Sequence, residues 1–394
     1  MPEIRNIVIL GASCGGLAIA HYIAKHVLPK LQRSKEATYE MHLVDPSTHF
    51  WWHIGAPREI VSVQEMKHSS YFVPIMDGFK QYPNLKDSII FHQGAATGLD
   101  TNARTVSIKT HEGSEETLHF YALVIATGIR SPTPLTTLHG EHTISQKALE
   151  EVNDKLASAK DIIISGGGPV GVETAGEIGH RYGGKAKITL IAGSNKLLPA
   201  LRQSLAEKAQ QLLEKNGVSI IYNNKVTGSE VMSNGRTEVK LEDGKTMTAD
   251  VFIPAHGVAP NTEFLPDKLK GKGGYVQTNG KTLRVDAAGP RIYAAGDVAA
   301  VDKGGVLNMF SSIPVLGANL AHDLLSDAKL GNVAERTYKR NDKETQLVPI
   351  GPKSGVAAIF GWRMPGFVVA QFKGKDYMVG EIPGIHQGKK FTKP

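Results

Sequence analysis

The sequence predicts an α/β fold in which one strand, turn and helix unit occurs twice, with a small α+β region behind the second copy. Three observations carry this. The chain twice runs from an apolar strand into a glycine-rich turn and on into a helix, once around residues 4–26 and again around residues 161–177. Each copy is followed by short alternating strands that close on a similar tripeptide, Ala126-Thr127-Gly128 and Ala255-His256-Gly257. The 394 residues are too many for one ordinary core, so two or three domains are expected.

In chain order, residues 4–10 form the first apolar run. Gly11-Ala12-Ser13-Cys14-Gly15-Gly16 leads from it into a helical stretch at 17–26. The turn has the G-x-G-x-x-G spacing with Ser13 at the middle position. Residues 11–15 also match the G-x-S-x-G elbow of serine hydrolases. That elbow follows several strands of an already formed sheet, whereas only one strand fits ahead of Ser13. Pro29 is expected to end the helix, and polar residues 30–37 to form an enlarged loop before a strand at 39–44. Asp45 ends that strand, where an acidic side chain accepts hydrogen bonds from an adenosine ribose. It also reads as the start of an Asp-Pro-Ser turn. His49-Phe50-Trp51-Trp52-His53, then Pro57-Arg58-Glu59, form an aromatic and histidine cluster of core type, in which Arg58 is suited to a phosphate or a ring edge.

Residues 89–128 change to short alternating strands with turns at 100–103 and 112–114. The second copy opens on Ile162-Ile163-Ile164, with Gly166, Gly168 and Gly171 at the full glycine spacing. Gly166 makes the tight turn, Gly168 lets a pyrophosphate meet bare backbone, and Gly171 lets the helix lie close to the strand. The helix N-terminus then offers unpaired N–H groups to the phosphates. Gly217 caps a helix at 201–215, strands follow at 218–222 and 237–241, Asp243-Gly244 makes a hairpin turn, and residues 251–257 close the unit. A duplication of about 130 residues with a glycine fingerprint in each copy implies two Rossmann-like dinucleotide-binding domains, the second inserted in the first. The expected division is 1–128 with 258–330, then 129–257, then a C-terminal domain at 340–394. Within the returning part, residues 291–298 form a strand ending in Gly296-Asp297 ahead of a helix at 314–325. There Asp297 either accepts from a sugar hydroxyl or caps the helix.

Composition bounds the chemistry. The net charge of +7 is spread along the chain, with short basic clusters only at 30–35 and 389–393, so a solvated basic surface is expected and no specific nucleic-acid partner. The basic tail is the candidate for peripheral membrane contact. No apolar run approaches the ~20 residues of a membrane span, Glu3 and Arg5 interrupt any leader core, and Pro2 excludes N-myristoylation, so an intracellular, cytoplasmic protein is expected. Cys14 is the one cysteine, which excludes an intramolecular disulfide, a redox Cys-x-x-C pair and a cysteine-rich zinc site.

Taken together, the glycine turn at 11–16, Asp45, Ala126-Thr127-Gly128, Gly171-Val172-Glu173, Gly257 with Pro260-Asn261, and Gly296-Asp297 resemble the two-dinucleotide-binding flavoproteins of the pyridine nucleotide-disulphide oxidoreductase superfamily. Residues 50–58 and the short C-terminal region are most similar to its apoptosis-inducing-factor-like group, which includes the ferroptosis-suppressor flavoprotein, and the finer sequence has a fungal character. The resemblance implies FAD on the first domain and NADPH or NADH on the second. Gly11, Ser13, Gly15 and Gly16 would surround the FAD pyrophosphate, with Asp45 at the ribose, Ala126, Thr127 and Gly128 at the closing strand, and Gly296 and Asp297 at the ribityl and phosphate region. Arg58 matches an arginine close to the flavin. Gly166, Gly168 and Gly171 would hold the NAD(P)H pyrophosphate, and Glu173 matches a carboxylate near the nicotinamide. No carboxylate stands in Ala192-Gly193-Ser194-Asn195-Lys196 to grip a free 2′-hydroxyl, and Lys196 is suited to a 2′-phosphate, so NADPH is expected to be accepted.

Because the disulphide reductases pass electrons to a cysteine pair that this chain lacks, the resemblance implies a small external acceptor, with a quinone as the family expectation. The protein would stack the two rings about 3–3.5 Å apart with water excluded. His53, His256 and Glu173 are the candidate proton-handling residues. The alternatives are a biosynthetic flavoenzyme with one dedicated small molecule, for which Trp51 and Trp52 would wall the pocket, and a redox-responsive binding protein of the apoptosis-inducing-factor kind.

Overall fold

The computed structural model describes residues 3–302 and 304–393. Its first unit is built on β1 (Glu3–Leu10), whose Ile7, Val8 and Ile9 are fully buried. After α1 (Cys14–His26) the chain forms β2 (Ala37–Asp45), β3 (Ile89–Asp100), β4 (Thr105–Thr110), β5 (Glu115–His119) and β6 (Ala122–Ile125). A helix α2 (His142–Ser158) then leads to the second unit, which opens with β7 (Asp161–Ser165) and α3 (Pro169–Tyr182). It continues through β8 (Lys187–Ile191), α4 (Gln203–Lys215), β9 (Val218–Ile221), the strands β10 (Val226–Val231), β11 (Thr237–Leu241) and β12 (Thr246–Ala249), and closes with β13 (Val251–Pro254). The chain returns as β14 (Ile292–Ala294) and α5 (Val306–Asp327), and ends in β15 (Gln346–Pro349), β16 (Gly355–Ile359) and β17 (Trp362–Met364) followed by short helices.

The sheets show where the chain leaves one unit for the other. The large sheet has the order β14-β6-β1-β2-β3-β4-β5, so residues 292–294 pair in parallel with residues 123–125 after an excursion of more than 160 residues. The intervening strands make a separate parallel sheet, β9-β8-β7-β13, and an antiparallel one, β10-β11-β12. The two crossings between units lie side by side, Ile129–Arg130 antiparallel to Ala259–Pro260.

The two glycine turns are near copies in their hydrogen bonds. Gly11 N donates to Val44 O and Ala126 N to Leu10 O; in the second unit Gly166 N donates to Ile191 O and Ala255 N to Ser165 O. Both first glycines have positive φ, +96° at Gly11 and +128° at Gly166, which an L side chain rarely adopts. A Cβ would meet Ala126 O at 2.3 Å in one case and Ala255 O at 2.2 Å in the other. Strand and helix are drawn together by the third glycine, since a Cβ on Gly16 would sit 1.8 Å from Gly11 O and one on Gly171 1.9 Å from Gly166 O.

Several element bounds differ from the sequence expectation. Pro29 does not end α1, which stops at His26; it lies in the first turn of a further short helix, Leu28–Leu31, where its missing N–H has no partner to lose. The helix expected from Pro314 begins eight residues earlier at Val306 and carries Pro314 inside it, held by a buried face that includes Met309, Ile313, Leu316 and Leu320. No helix among the described residues is long and apolar enough to cross a membrane.

Glycine packing separates two substitutions that look alike in sequence. Gly16→Ala must displace backbone and is expected to lower stability by about 3 kcal/mol, whereas a Cβ on Gly168 meets nothing within 4 Å and Gly168→Ala should change it by less than about 0.5 kcal/mol. Denaturant midpoints of the two variants check this; equal shifts would contradict the packing described.

Candidate functional site

A cavity of about 990 Å³ runs between the units, at the upper end of the ~300–1,000 Å³ usual for small-molecule sites. It lies where the carboxyl ends of β1, β2, β6 and β14 meet, with β1 between β6 and β2, which is the switch point of an open parallel sheet. Gly11, Ser13, Cys14 and Gly15 line it from the first turn, and Pro169 and Val170 from the first turn of α3. Two helices therefore present their N-termini to one space, and neither Ser13 nor Gly168 places a side-chain cap over its helix.

Each remaining wall follows from a strand end. Asp45 lines the cavity with Oδ2 accepting from Ala12 N at 2.7 Å and Oδ1 from Ser47 N at 2.8 Å. Desolvation raises its carboxyl to about 6 although those two donors pull the other way. Two donors leave a carboxylate with lone pairs unused, as a ribose partner needs. Ala126, Thr127 and Gly128 line the cavity beyond β6 and are tied to the returning chain: Thr127 Oγ1 donates to Asn261 O at 2.7 Å, and Asn261 Nδ2 donates to Thr127 O at 2.8 Å. Gly296 and Asp297 line it beyond β14. Gly296 lies close enough to Gly15 that a Cβ on the latter would be 3.3 Å away, and Asp297 Oδ1 accepts from Gly305 N at 2.6 Å. The bare cradle of Gly11 and Gly15, the open helix N-terminus and the Asp45 carboxylate fit a dinucleotide such as FAD.

Other residues picked from sequence lie off this wall. Gly16, Gly166, Gly168 and Gly171 do not line the cavity; Gly16 and Gly171 pack helix on strand, and Gly168 faces open space. Arg58 is buried outside it. Its guanidinium forks onto Glu177, with Nε at 3.0 Å and Nη2 at 2.8 Å, and its other N–H groups donate to the carbonyls of Gly374 and Lys375. Tyr377 donates to the same Glu177 at 3.1 Å, with its ring 4.9 Å from the guanidinium. His256 also lies off the wall, with Nδ1 2.6 Å from Ser165 Oγ. His53 does line the cavity, beside Trp51, and desolvation lowers its imidazole, which Asp297 opposes only in part. Trp51 donates to the buried Glu59 at 3.0 Å, and burial pushes that carboxyl up to about 8. Trp52 is buried away from the cavity and donates to Tyr377 O at 2.8 Å.

Glu173, almost fully buried, accepts from Lys373 Nζ at 2.6 Å. Burial raises its carboxyl to about 7, the neighbouring ammonium restraining the rise. Lys373 lines the cavity, so this contact ties the buried carboxyl to the cavity wall. Sequence reasoning missed Lys373, which stands 200 residues from its partner with no motif around it. At the second turn, Lys196 Nζ donates to Leu201 O at 2.6 Å. The stem of Lys225 instead lies over Gly193, where a Cβ would be 2.8 Å from its Cγ. Cys14 lines the cavity, and desolvation pushes its thiol up to about 12.

Residues 5–317 match the family model described as pyridine nucleotide-disulphide oxidoreductase. The chain is 38% identical over 412 residues to Oxidoreductase phnG of Penicillium herquei, covering 99% of this chain and 97% of that protein. It is 25% identical over 395 residues to mouse Ferroptosis suppressor protein 1, covering 95% and 94% of the two. Among solved structures, the sulfide:quinone oxidoreductase of Aquifex aeolicus aligns with a TM-score of 0.70 over 98% of this chain and 92% of that one at 15% identity, a likeness of fold.

Two substitutions test the two units separately. Asp297→Ala is expected to yield colourless purified protein, and stoichiometric flavin in its visible spectrum would contradict the role given to that carboxylate. Gly168→Val, for which the fold has room, should keep flavin yet abolish its anaerobic bleaching by NADPH; normal bleaching would contradict the assignment of the second turn.

Proposed function

The chain belongs to the pyridine nucleotide-disulphide oxidoreductase family, whose members use FAD and NAD(P)H, and on that premise we propose that it oxidises NADPH and passes the electrons to a small apolar acceptor of the quinone type. The observation that carries this reading is Cys14: a chain with one cysteine has no dithiol to relay electrons, which favours an acceptor that itself enters the cavity. The mouth suits an apolar molecule, because Val170, Val258 and Leu307 line the cavity and are exposed to solvent.

When bound, the flavin and the reduced nicotinamide supply the redox chemistry. What the chain contributes is binding, orientation and a proton. Gly11, Gly15 and the two helix N-termini would hold the phosphates, and Asp45 and Asp297 would hold hydroxyls. Trp51 and His53 wall the cavity against water. Lys373 Nζ, fixed by Glu173 and by Leu347 O at 3.3 Å, is the donor positioned to protonate an acceptor oxygen. Lys225, whose stem lies over Gly193 and whose Nζ pairs with the half-exposed Glu242 at 3.2 Å, is the cation proposed to leave that pair and meet a 2′-phosphate, since Lys196 is turned onto Leu201 O.

Steady-state NADPH oxidation with a panel of quinones tests the reading, and no turnover with any of them removes it. Trp51 in the cavity wall favours, in that event, the alternative of one dedicated small-molecule substrate. Two further outcomes are expected. Glu173 ionises as pH rises through about 7, completing the pair that holds Lys373, so turnover should rise across that pH. Glu173→Gln should retain flavin, lower kcat about 100-fold and lose that step; an unchanged pH profile would contradict it. Lys225→Glu should raise the KM for NADPH at least about tenfold while sparing NADH, and equal effects on both would show that another group reads the 2′-phosphate.

A further inference from the structure

The exposed aromatics of this protein are gathered in one place. Every exposed Phe or Trp among the described residues falls within residues 360–372: Phe360 at 59%, Trp362 at 77%, Phe367 at 69% and Phe372 at 66% of full exposure. They belong to the β16–β17 hairpin and the helical segment that follows it, which packs on the hairpin through the buried Val369. The hairpin tip is Phe360-Gly361, both with positive φ (49° and 84°), and register Ile359↔Trp362 sets Trp362 directly after it. An aromatic residue at positive φ is costly, and here no burial offsets it. The tip is nonetheless held firmly: Arg202 Nη2 donates to Gly361 O at 2.5 Å, Gly361 N to Glu344 O at 2.8 Å, and Phe360 N to Thr345 Oγ1 at 3.1 Å. A rigid tip therefore presents aromatic surface to solvent.

Charge along this stretch of the chain has one sign. Residues 345–375 contain no Asp or Glu, although the chain as a whole carries 38. Lys353, Arg363 and Lys375 are exposed in the same stretch and make no ion pair among the described residues. Four bulky rings of roughly 150–250 Å² each, about two-thirds exposed, offer roughly 400–700 Å² of apolar surface beside unpaired cations, at the upper end of the apolar patch a monomer ordinarily shows to water. Trp and Phe favour the headgroup level of a bilayer, and unpaired Lys and Arg are drawn to anionic lipid.

We propose that residues 360–372, with Lys353, Arg363 and Lys375, form a docking surface for an anionic membrane, which the protein touches without spanning. The charge selects anionic lipid over a neutral bilayer, and the aromatic cluster distinguishes the surface from a merely basic one. The contact is placed here rather than on the basic tail, because part of that tail is already engaged. Lys390 pairs with Glu381 and lies 3.9 Å over the Phe310 ring, Phe391 is buried, and its carbonyl is 3.0 Å from His26 Nε2. This inference goes beyond the proposed acceptor and is independent of it.

Flavin-loaded, full-length protein should be sedimented with vesicles of phosphatidylcholine alone and of phosphatidylcholine with phosphatidylserine. Binding to the second, weakened by salt, is expected, with little to the first. The molecule carries its own reporter. Of its three tryptophans Trp51 and Trp52 are fully buried, so a blue shift of emission on adding anionic vesicles comes from Trp362. Trp362→Ser should weaken vesicle binding about tenfold and abolish the shift. Arg363→Glu with Lys353→Glu should remove the preference for phosphatidylserine. These residues do not line the cavity, so NADPH oxidation with a soluble acceptor should be unchanged, and failure of the quinone reading would leave vesicle binding as expected. The proposal is overturned if neither vesicle retains the protein or if Trp362→Ser binds as well as the parent. It is also overturned if light scattering shows a dimer that Trp362→Ser dissociates, since a second copy then covers the patch.

Discussion

At the two glycine turns backbone meets backbone with no side chain between, and the rest of the structure depends on that contact. At each glycine turn the carbonyl after the closing strand, Ala126 O or Ala255 O, lies where a Cβ would be, and the helix that follows rests on the turn's own first carbonyl. Helix and parallel strand can approach this closely only if the third glycine has no side chain. The approach directs both helix N-termini toward one cavity, so binding geometry follows from packing geometry. Gly16 and Gly171 thus act on function without lining the site: they position the turn that does.

A second constraint joins the three parts of the chain. Arg58 comes from the first unit, Glu173 and Glu177 from α3 of the second, and Lys373, Tyr377 and two acceptor carbonyls from the C-terminal region. Burying such charges is unfavourable unless each is paired, and removing one partner of a buried pair typically costs about 3–5 kcal/mol. The arrangement holds the parts in one register because every alternative leaves a charge unpaired. It also divides labour between two acids one helical turn apart: Glu177 is committed to Arg58 and Tyr377, whereas Glu173 is paired with a lysine on the cavity wall. The same region turns outward at the aromatic hairpin, so one C-terminal segment meets both the cavity, through Lys373 and Met378, and the solvent, through Trp362.

Residue by residue, legibility followed the range of the interaction. Gly11, Asp45 and Asp297 were legible because a glycine turn and a strand-end acid act within a few residues of backbone, and local spacing is printed in the sequence. Arg58 was chosen from a resemblance, and its place depends on Glu177, which is 119 residues away. Lys373 carried no local signal, and Lys196, the obvious cation after β8, is turned onto a nearby carbonyl while Lys225 covers the glycine. Helix bounds slipped at Pro29 and Pro314 for a related reason, since tertiary burial of the helix face outweighed the local preference of proline.

The sequence by itself determined the α/β class, the doubling of the dinucleotide-binding unit and the absence of a dithiol, because these rest on glycine spacing, strand hydrophobicity and a count of cysteines. Only the tertiary structure decided that both helix N-termini open on one cavity, that a lysine from the last tenth of the chain reaches its wall, and that the exposed aromatics share one hairpin and helix. The first two depend on contacts between residues far apart in the chain, which exist only once burial has brought the segments together, and the third on which side chains that burial leaves outside.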